Sequence, residues 1–215
     1  MKKFISICMM IGLVILGTSS VALANEKTTD AEELSGLVKV TFTNAETEKV
    51  VYFEPEEVRI SSQESLMSSS SSANQTMTCS VFIPLESNNE GIMPASTVTG
   101  GQENSGVTAN MAVNYDYDKT NNLLRVNSVS GSWTPSSSYY YLGNREVGAH
   151  AGSPNKLVLN KYPTTNTYSY TTGWGYVPRY WDTFSARAWS EADIYISGMS
   201  GTAGHITVEF TFPNE

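Results

Sequence analysis

Two carboxylates and two aromatic rings share one parity near the C-terminal end of the chain. Glu191 and Asp193 alternate with apolar residues and are flanked by Trp189 and Tyr195. In a strand, side chains two positions apart point to the same face and lie roughly 6–7 Å apart. Two acids at that separation fit a general acid and base acting on a glycosidic bond. Many solvent-facing strands carry such pairs, so a binding face around Trp189 and Tyr195 is the preferred interpretation.

A second group of rings lies just before this strand, in the segment 166–181 (NTYSYTTGWGYVPRYW). Tyr168 and Tyr170 alternate with Thr and Ser as in a strand, where they are expected to fill the core. The later rings lie among glycines and a proline, in a segment typical of a loop. Tyr and Trp combine a large apolar ring with a polar tip, which suits a sugar ring or an apolar anchor of a partner. The candidate binding residues are therefore Trp174, Tyr176, Tyr180, Trp181, Trp189 and Tyr195.

Motifs for nucleophilic, metal or cofactor chemistry are missing from the sequence. Serines are numerous, but none stands in a G-x-S-x-G pattern. Asp116 and Asp118 begin like a calcium loop, yet the glycine and the bidentate glutamate of that loop are absent. His150 and His205 are the only histidines and are not spaced as ligands of one local site. We therefore predict no catalytic residue, no metal and no cofactor.

The N-terminus has the pattern of a secretory signal. Two lysines precede a mostly apolar run from Phe4 to Leu16, and small residues allow cleavage after Ala24. We expect a signal peptide helix over 1–24 and a secreted, extracellular protein with no stable membrane span once that helix is removed. An uncleaved membrane anchor is the alternative, which the shortness of the apolar run disfavours.

Charge and cysteine content limit the partners and the covalent chemistry. The chain has 13 basic and 21 acidic residues, and removal of Lys2 and Lys3 with the signal leaves 11 basic against 21 acidic, a net charge of −10. An acidic chain without a basic cluster argues against nucleic acid, so a glycan or a surface protein is the expected partner. Cys79 is the only cysteine beyond the signal. It shares parity with apolar residues, which predicts a buried thiol rather than a disulfide.

Alternating apolar residues predict strands along most of the mature chain. Residues 107–117 and 123–129 form one antiparallel pair, and a change of parity between Val126 and Val129 predicts a bulge. A second pair places Phe184, Ala186, Ala188, Ala192, Ile194 and Ile196 on one face, and returns through Ile206, Val208, Phe210 and Phe212. These patterns predict an all-β fold, an antiparallel β-sandwich of jelly-roll-like or Ig-like type.

The predicted organisation has four parts. Residues 25–60 hold nine acids against four bases, and residues 61–74 hold eight serines, a composition that favours a flexible segment. The parts are a signal peptide (1–24), an acidic N-terminal β-hairpin or propeptide (25–60), a Ser-rich linker (61–76) and a β-sandwich domain (77–215).

The functional expectation is a secreted, non-catalytic protein that binds an extracellular glycan or protein partner through aromatic loops. A pore-forming or antimicrobial protein is the first alternative, because strands that alternate Ser and Thr with apolar residues have the two faces that membrane insertion requires. A secreted hydrolase that uses Glu191 or Asp193 is the second alternative.

Overall fold

The computed structural model describes residues 37–63, 72–88, 91–94, 105–152, 156–180 and 184–212. The predicted signal peptide and Trp181 lie outside the described residues. The strands are β1 (Val38–Asn44), β2 (Val50–Phe53), β3 (Glu57–Gln63), β4 (Ser72–Asn88), β5 (Gly91–Pro94), β6 (Gly106–Asp118), β7 (Leu123–Pro135), β8 (Tyr140–His150), β9 (Val158–Lys161), β10 (Thr167–Thr171), β11 (Val177–Pro178), β12 (Arg187–Ile196) and β13 (Gly204–Thr211).

The strands form two antiparallel sheets packed face to face. The six-stranded sheet has the order β2-β1-β13-β12-β8-β9. The seven-stranded sheet has the order β10-β7-β6-β4-β3, with β11 paired to β7 and β5 paired to β4. This architecture confirms the predicted all-β antiparallel sandwich.

The two-residue period of the strands decides what each sheet buries. Strand β6 buries Val107, Ala109, Met111 and Val113 in alternation, and the intervening residues are half-buried on its outer face. The two inner faces meet at ring contacts such as that between Tyr115 and Phe212, whose centroids are 5.1 Å apart at 72°. Edge-to-face packing of this kind is favourable because a positive ring edge meets a negative ring face.

The predicted buried positions in the middle of the chain are confirmed. Cys79 is 3% exposed, and burial raises the pKa of its thiol to about 12, so the thiolate needed for reactivity is disfavoured. Tyr168 is buried against Trp133, with ring centroids 4.8 Å apart. Tyr170 is half-buried against the same core. These tyrosines belong to the core, as the strand pattern predicts.

The two long hairpins are also confirmed, with one exception. The register between β6 and β7 shifts between Asn114 and Tyr115, leaving the predicted bulge at Asn127. Strand β13 pairs along its whole length with residues 187–194 of β12. The prediction that Phe184 lies on the buried face is wrong, since its side chain is 57% exposed. Strand β12 begins only at Arg187, and the alternation does not apply before it.

The N-terminal hairpin is joined to the rest of the six-stranded sheet by hydrogen bonds. Strand β1 pairs with β2 on one side and with β13 on the other. Its turn is held by Asn44, whose Oδ1 accepts the backbone N–H groups of Glu46 and Thr47 at 2.9 and 2.7 Å. Because β1 lies between two strands, its loss would leave the edge of β13 unpaired.

The Ser-rich segment is partly strand. Strand β3 extends to Gln63 and β4 begins at Ser72, so both ends of the predicted linker (61–76) are paired with each other. In these paired ends the inward residues are apolar, such as Ile60 and the Met77 opposite it, whereas Ser61 and Thr76 face outward. Serine is tolerated at the outward positions because the solvent-facing side of an antiparallel sheet does not have to be apolar.

The middle of the outer face of the seven-stranded sheet carries small, mostly polar side chains. We call the twelve outward positions in register on β10, β7, β6 and β4 the hydroxyl face. Eleven of them are Ser, Thr or Asn, and the other is Ala112. In sheet order the three rows are Thr167-Ser132-Asn110-Ser80, Ser169-Ser130-Ala112-Thr78 and Thr171-Ser128-Asn114-Thr76.

The role of β1 is testable through Phe42, which is fully buried and packs over Gly204 of β13. Replacement of Phe42 by Ala removes a large ring from the core and is expected to lower the free energy of unfolding by about 3–5 kcal/mol. Urea denaturation of the mature protein measures this change. The neighbouring outward variant Thr41→Ala is the control and should cost less than about 1 kcal/mol. A Phe42→Ala effect as small as that of the control would mean that β1 is dispensable.

Candidate functional site

The outer face of the six-stranded sheet collects rings and ionisable groups from three neighbouring strands. Strand β12 alternates buried residues with Trp189, Glu191, Asp193 and Tyr195 on its outer side. Strands β8 and β13 flank it and add further polar groups. We call this surface the aromatic face; its residues are Tyr141, Asn144, Glu146, Trp189, Glu191, Asp193, Tyr195 and His205.

Two glycines of β8 leave room for the two aromatic rings of β12 to pack against the backbone. Trp189 lies opposite Gly148 in the register, and a Cβ atom at that glycine would overlap the indole ring. Gly143 does the same for Tyr195, whose Cε2 would lie 2.8 Å from an added Cβ. Because glycine has no side chain, each ring can lie flat against the neighbouring backbone. Both rings therefore lie across the sheet surface.

The Tyr195 ring is extended by a second tyrosine. Tyr141 lies opposite it on β8, and the two rings stack with centroids 5.2 Å apart and planes 13° apart. The Tyr141 side chain is 50% exposed. At the other end of the face, the imidazole of His150 lies 6.0 Å from the Trp189 ring. The face thus has two aromatic platforms, one around Trp189 and one formed by the tyrosine pair.

A bulge in β8 directs an amide onto the face between these platforms. The register of β8 with β12 shifts between Glu191 and Asp193, and Asn144 has a positive φ of 43°. Asn tolerates this left-handed conformation better than most residues. Its Nδ2 donates hydrogen bonds to Asp193 Oδ2 at 2.8 Å and to Tyr195 OH at 3.0 Å. A bulge that redirects a side chain in this way is common beside functional sites.

His205 of β13 lies between the two acids of β12. Its Nδ1 is 2.8 Å from Asp193 Oδ1, and its Nε2 is 3.5 Å from Glu191 Oε2. The hydrogen bond with Glu191 and then that with Asp193 raise the pKa of His205 to about 9, against an opposing effect of burial. The imidazole is therefore a cation at neutral pH, and it neutralises part of the acidic charge of the face.

Glu146 adds a third carboxylate close to Trp189. It lies directly opposite Glu191 in the register, and like charges in that position are destabilising. Its Oε1 accepts a hydrogen bond from the indole Nε1 of Trp189 at 3.3 Å. Beyond Trp189, Arg187 donates to Glu209 at 3.1 Å. Acceptor oxygens thus lie beside the Trp189 platform and between the two platforms.

The structure divides the predicted binding residues between two places. Trp189 and Tyr195 lie on the aromatic face. Trp174 is half-buried against the core, and Tyr180 is half-buried in the following segment. Tyr176 is 38% exposed. The guanidinium of Arg125 lies over its ring, with Cζ 4.7 Å from the ring centroid. Trp181 lies outside the described residues.

The segment that holds Trp174 and Tyr176 is attached to the β6–β7 hairpin. Strand β11 pairs with the start of β7, and the guanidinium of Arg179 lies 4.6 Å from the Tyr117 ring. Arg125 also forms an ion pair with the buried Asp116. The side chains of this segment are therefore engaged in contacts with the hairpin.

Sequence patterns did not indicate four residues of the aromatic face. Tyr141, Asn144 and Glu146 belong to a strand whose alternation is interrupted by the bulge. The sequence assigned no role to His205, because its contact with two acids depends on the register of β12 with β13. The glycines of β8 could have indicated this face from the sequence, because a glycine within a strand often marks the close approach of another group.

Among the described residues, no group of three or more His, Cys, Asp or Glu side chains is arranged to hold a metal ion. Within that part of the chain there is also no helix with the length and hydropathy needed to cross a membrane.

Comparison with known proteins gave no match to a protein-family model, to a curated protein or to a solved structure.

The two histidines are expected to titrate on opposite sides of the ordinary pKa of about 6.5. His205 should titrate near 9, and His150 below its usual value, because burial and then the charge of Arg187 lower its pKa. NMR titration of the imidazole signals measures both, and His205→Gln assigns them. A His205 signal that titrates at or below 6.5 would contradict the contact with the two acids.

The raised pKa of His205 also predicts a dependence of stability on pH. A raised folded-state pKa contributes stability that is complete below the unfolded value of about 6.5 and is lost as the pH rises through about 9. Thermal unfolding at pH 6 and pH 10 should therefore show a smaller difference for His205→Gln than for the unchanged chain.

Proposed function

We propose that this chain is a secreted, non-catalytic protein that binds an extracellular glycan across the aromatic face. The observation that carries the proposal is the pair of flat ring platforms, Trp189 against Gly148 and the stacked pair of Tyr195 and Tyr141. The faces of a pyranose ring carry C–H groups with partial positive charge, which complement the negative face of an aromatic ring. Trp189 and Tyr195 are six residues apart on one strand, about 20 Å, so the ligand spans several sugar units.

The polar groups between the platforms suit the hydroxyl groups of a sugar chain. Ionised carboxylates accept hydrogen bonds at both oxygens, and three carboxylates are available. Each is oriented by a contact within the face: Glu146 by the Trp189 indole, Asp193 by Asn144, and Glu191 by His205. Side chains that are already held in place lose less conformational entropy when a ligand binds.

The same contacts favour binding over hydrolysis. A pair of carboxyl groups that cleaves a glycosidic bond requires one protonated acid and one ionised partner. Glu191 and Asp193 both contact His205, whose pKa is raised to about 9. Both carboxyls are instead held by contacts with the same imidazole, rather than placed separately as an acid and a base on the two sides of a bond. This electrostatic arrangement supports a non-catalytic role.

The proposed ligand lies on the sheet rather than on the segment that holds Trp174 and Tyr176. Tyr176 is covered by Arg125 and Trp174 packs on the core, so these rings contribute to the fold. Trp189 and Tyr195, by contrast, lie on one surface together with acceptors for hydrogen bonds. Export of the chain, expected from the sequence of residues 1–24, would give this surface access to extracellular glycans.

Replacement of Trp189 by Ala should weaken glycan binding by about tenfold or more, because aromatic anchors dominate the energy of an interface. A glycan array first identifies the oligosaccharide, and isothermal titration then compares the variants. Tyr52→Ala is the matched control, since Tyr52 is 66% exposed on the edge strand β2 of the same sheet.

The variants must be compared as folded proteins, because Trp189 covers the backbone of β8. Circular dichroism and thermal unfolding provide this check, and Asn144→Ala tests the face with a smaller structural change. Equal affinity of the unchanged chain, Trp189→Ala and Asn144→Ala for the identified glycan would exclude the aromatic face as its site. Binding that is lost equally in Tyr52→Ala would also contradict the proposal.

A further inference from the structure

None of the twelve positions of the hydroxyl face holds a charged residue. Soluble proteins commonly place Lys, Glu, Asp and Arg on exposed sheet faces, where they maintain solubility and prevent association. The chain carries 21 acidic residues, yet the twelve positions of this face hold none of them. Charged residues border the face as ion pairs. Glu57 and Arg59 lie beside it on β3. Asp116 of β6 and Arg125 of β7 lie beyond the row of Asn114. Contact with water does not by itself explain why these twelve positions carry no charge.

Several side chains of the hydroxyl face are held by hydrogen bonds across strands. Thr76 donates to Asn114 Oδ1 at 2.5 Å, and Asn114 Nδ2 donates to Ser128 Oγ at 2.9 Å. Asn110 Nδ2 similarly lies 3.4 Å from Ser132 Oγ. These bonds fix the direction of the amides and leave further lone pairs and hydroxyl protons directed at the surroundings. The face is therefore an ordered array of donors and acceptors.

The array is regular in two directions. Outward residues repeat at roughly 6–7 Å along each strand, and the strands are about 4.8 Å apart. Beside Ala112, Thr78 and Asn110 there is an open depression of about 250 Å³, which Glu57 of β3 also borders. A partner that uses the whole array must itself be extended, and it must supply hydroxyl or amide groups at short intervals.

The composition of the face disfavours other classes of partner. Nucleic acids and anionic membranes require Lys and Arg, and the twelve positions hold neither. Protein interfaces are enriched in Trp, Tyr, Met and Arg and depleted in Ser, which is the reverse of what this face presents. An uncharged polymer rich in hydroxyl groups matches both the neutrality and the hydrogen-bonding capacity.

We propose that the hydroxyl face is a second binding surface, and that its ligand is a neutral polysaccharide with ordered, extended chains. Each hydroxyl contact is weak, so affinity depends on many contacts made together, as on the surface of an insoluble polymer. This proposal does not rest on the ligand of the aromatic face, since the two surfaces belong to opposite sheets. A chain with both surfaces would attach to a polysaccharide matrix on one side and bind a soluble glycan on the other.

Sedimentation of the mature protein with insoluble neutral polysaccharides tests this proposal. The probes are microcrystalline cellulose, chitin and an insoluble β-glucan. Ser130 lies in the central row between Ala112 and Ser169, and a charge there interrupts the array without entering the core. Ser130→Lys is expected to weaken the apparent affinity for the bound polymer about tenfold or more. Thr41→Lys, the same change in size and charge on the other sheet, should bind as the unchanged chain does.

Trp189→Ala in the same assay separates the two binding surfaces. Binding that survives Trp189→Ala and is lost in Ser130→Lys supports the hydroxyl face. Binding that shows the reverse pattern assigns the polymer to the aromatic face and overturns this proposal alone. Should Ser130→Lys unfold, Ser169→Lys on the exposed edge strand β10 replaces it. The proposal is also overturned if none of the three polymers retains the protein, or if the protein releases dye from phosphatidylcholine vesicles instead.

Discussion

The two-residue period of the long strands constrains both outer surfaces of the sandwich. In β12 and β13 every second residue is committed to the interior, where Ala188, Ile194 and Phe210 have no exposed surface. Burial of these residues provides the main favourable free energy of folding, so the intervening positions do not have to be apolar. On β12 they hold rings and carboxylates, and on β6 and β7 they hold hydroxyls and amides. One core thus supports two surfaces with different chemistry.

The aromatic face depends on departures from regular strand structure. Gly143 and Gly148 allow the rings of Tyr195 and Trp189 to lie against β8, although glycine weakens a strand by about 0.5–1 kcal/mol relative to alanine. Asn144 adopts a left-handed conformation, which also costs of order 1 kcal/mol. These costs fall on neighbouring positions of one strand, and each orients a group on the same surface. Their concentration on one surface supports the proposal that this surface binds a ligand.

Sequence patterns predicted the sandwich, the C-terminal hairpin, the bulge in β7 and the burial of Cys79. These features follow from the alternation within single strands, which reports directly on the buried face. The contact of His205 with the two acids of β12 depends on the register between strands, which the pattern of one strand does not specify. Tyr141 and Asn144 were missed because the bulge interrupts the alternation of β8. The packing of Trp174 and Tyr176 depends on tertiary contacts that a loop sequence does not reveal.

The central claim is that the outer face of the six-stranded sheet binds the ligand. NMR titration of the protein with the bound oligosaccharide tests it, because the indole N–H signals distinguish Trp189 on the aromatic face from Trp133 and Trp174, which pack in or against the core. The account predicts that the indole signal of Trp189 shifts, with saturation at the affinity measured by calorimetry, and that the signal of the buried Trp133 remains fixed. A shift confined to Trp174 or Trp181, with Trp189 unchanged, would contradict the account and return the site to the aromatic loop.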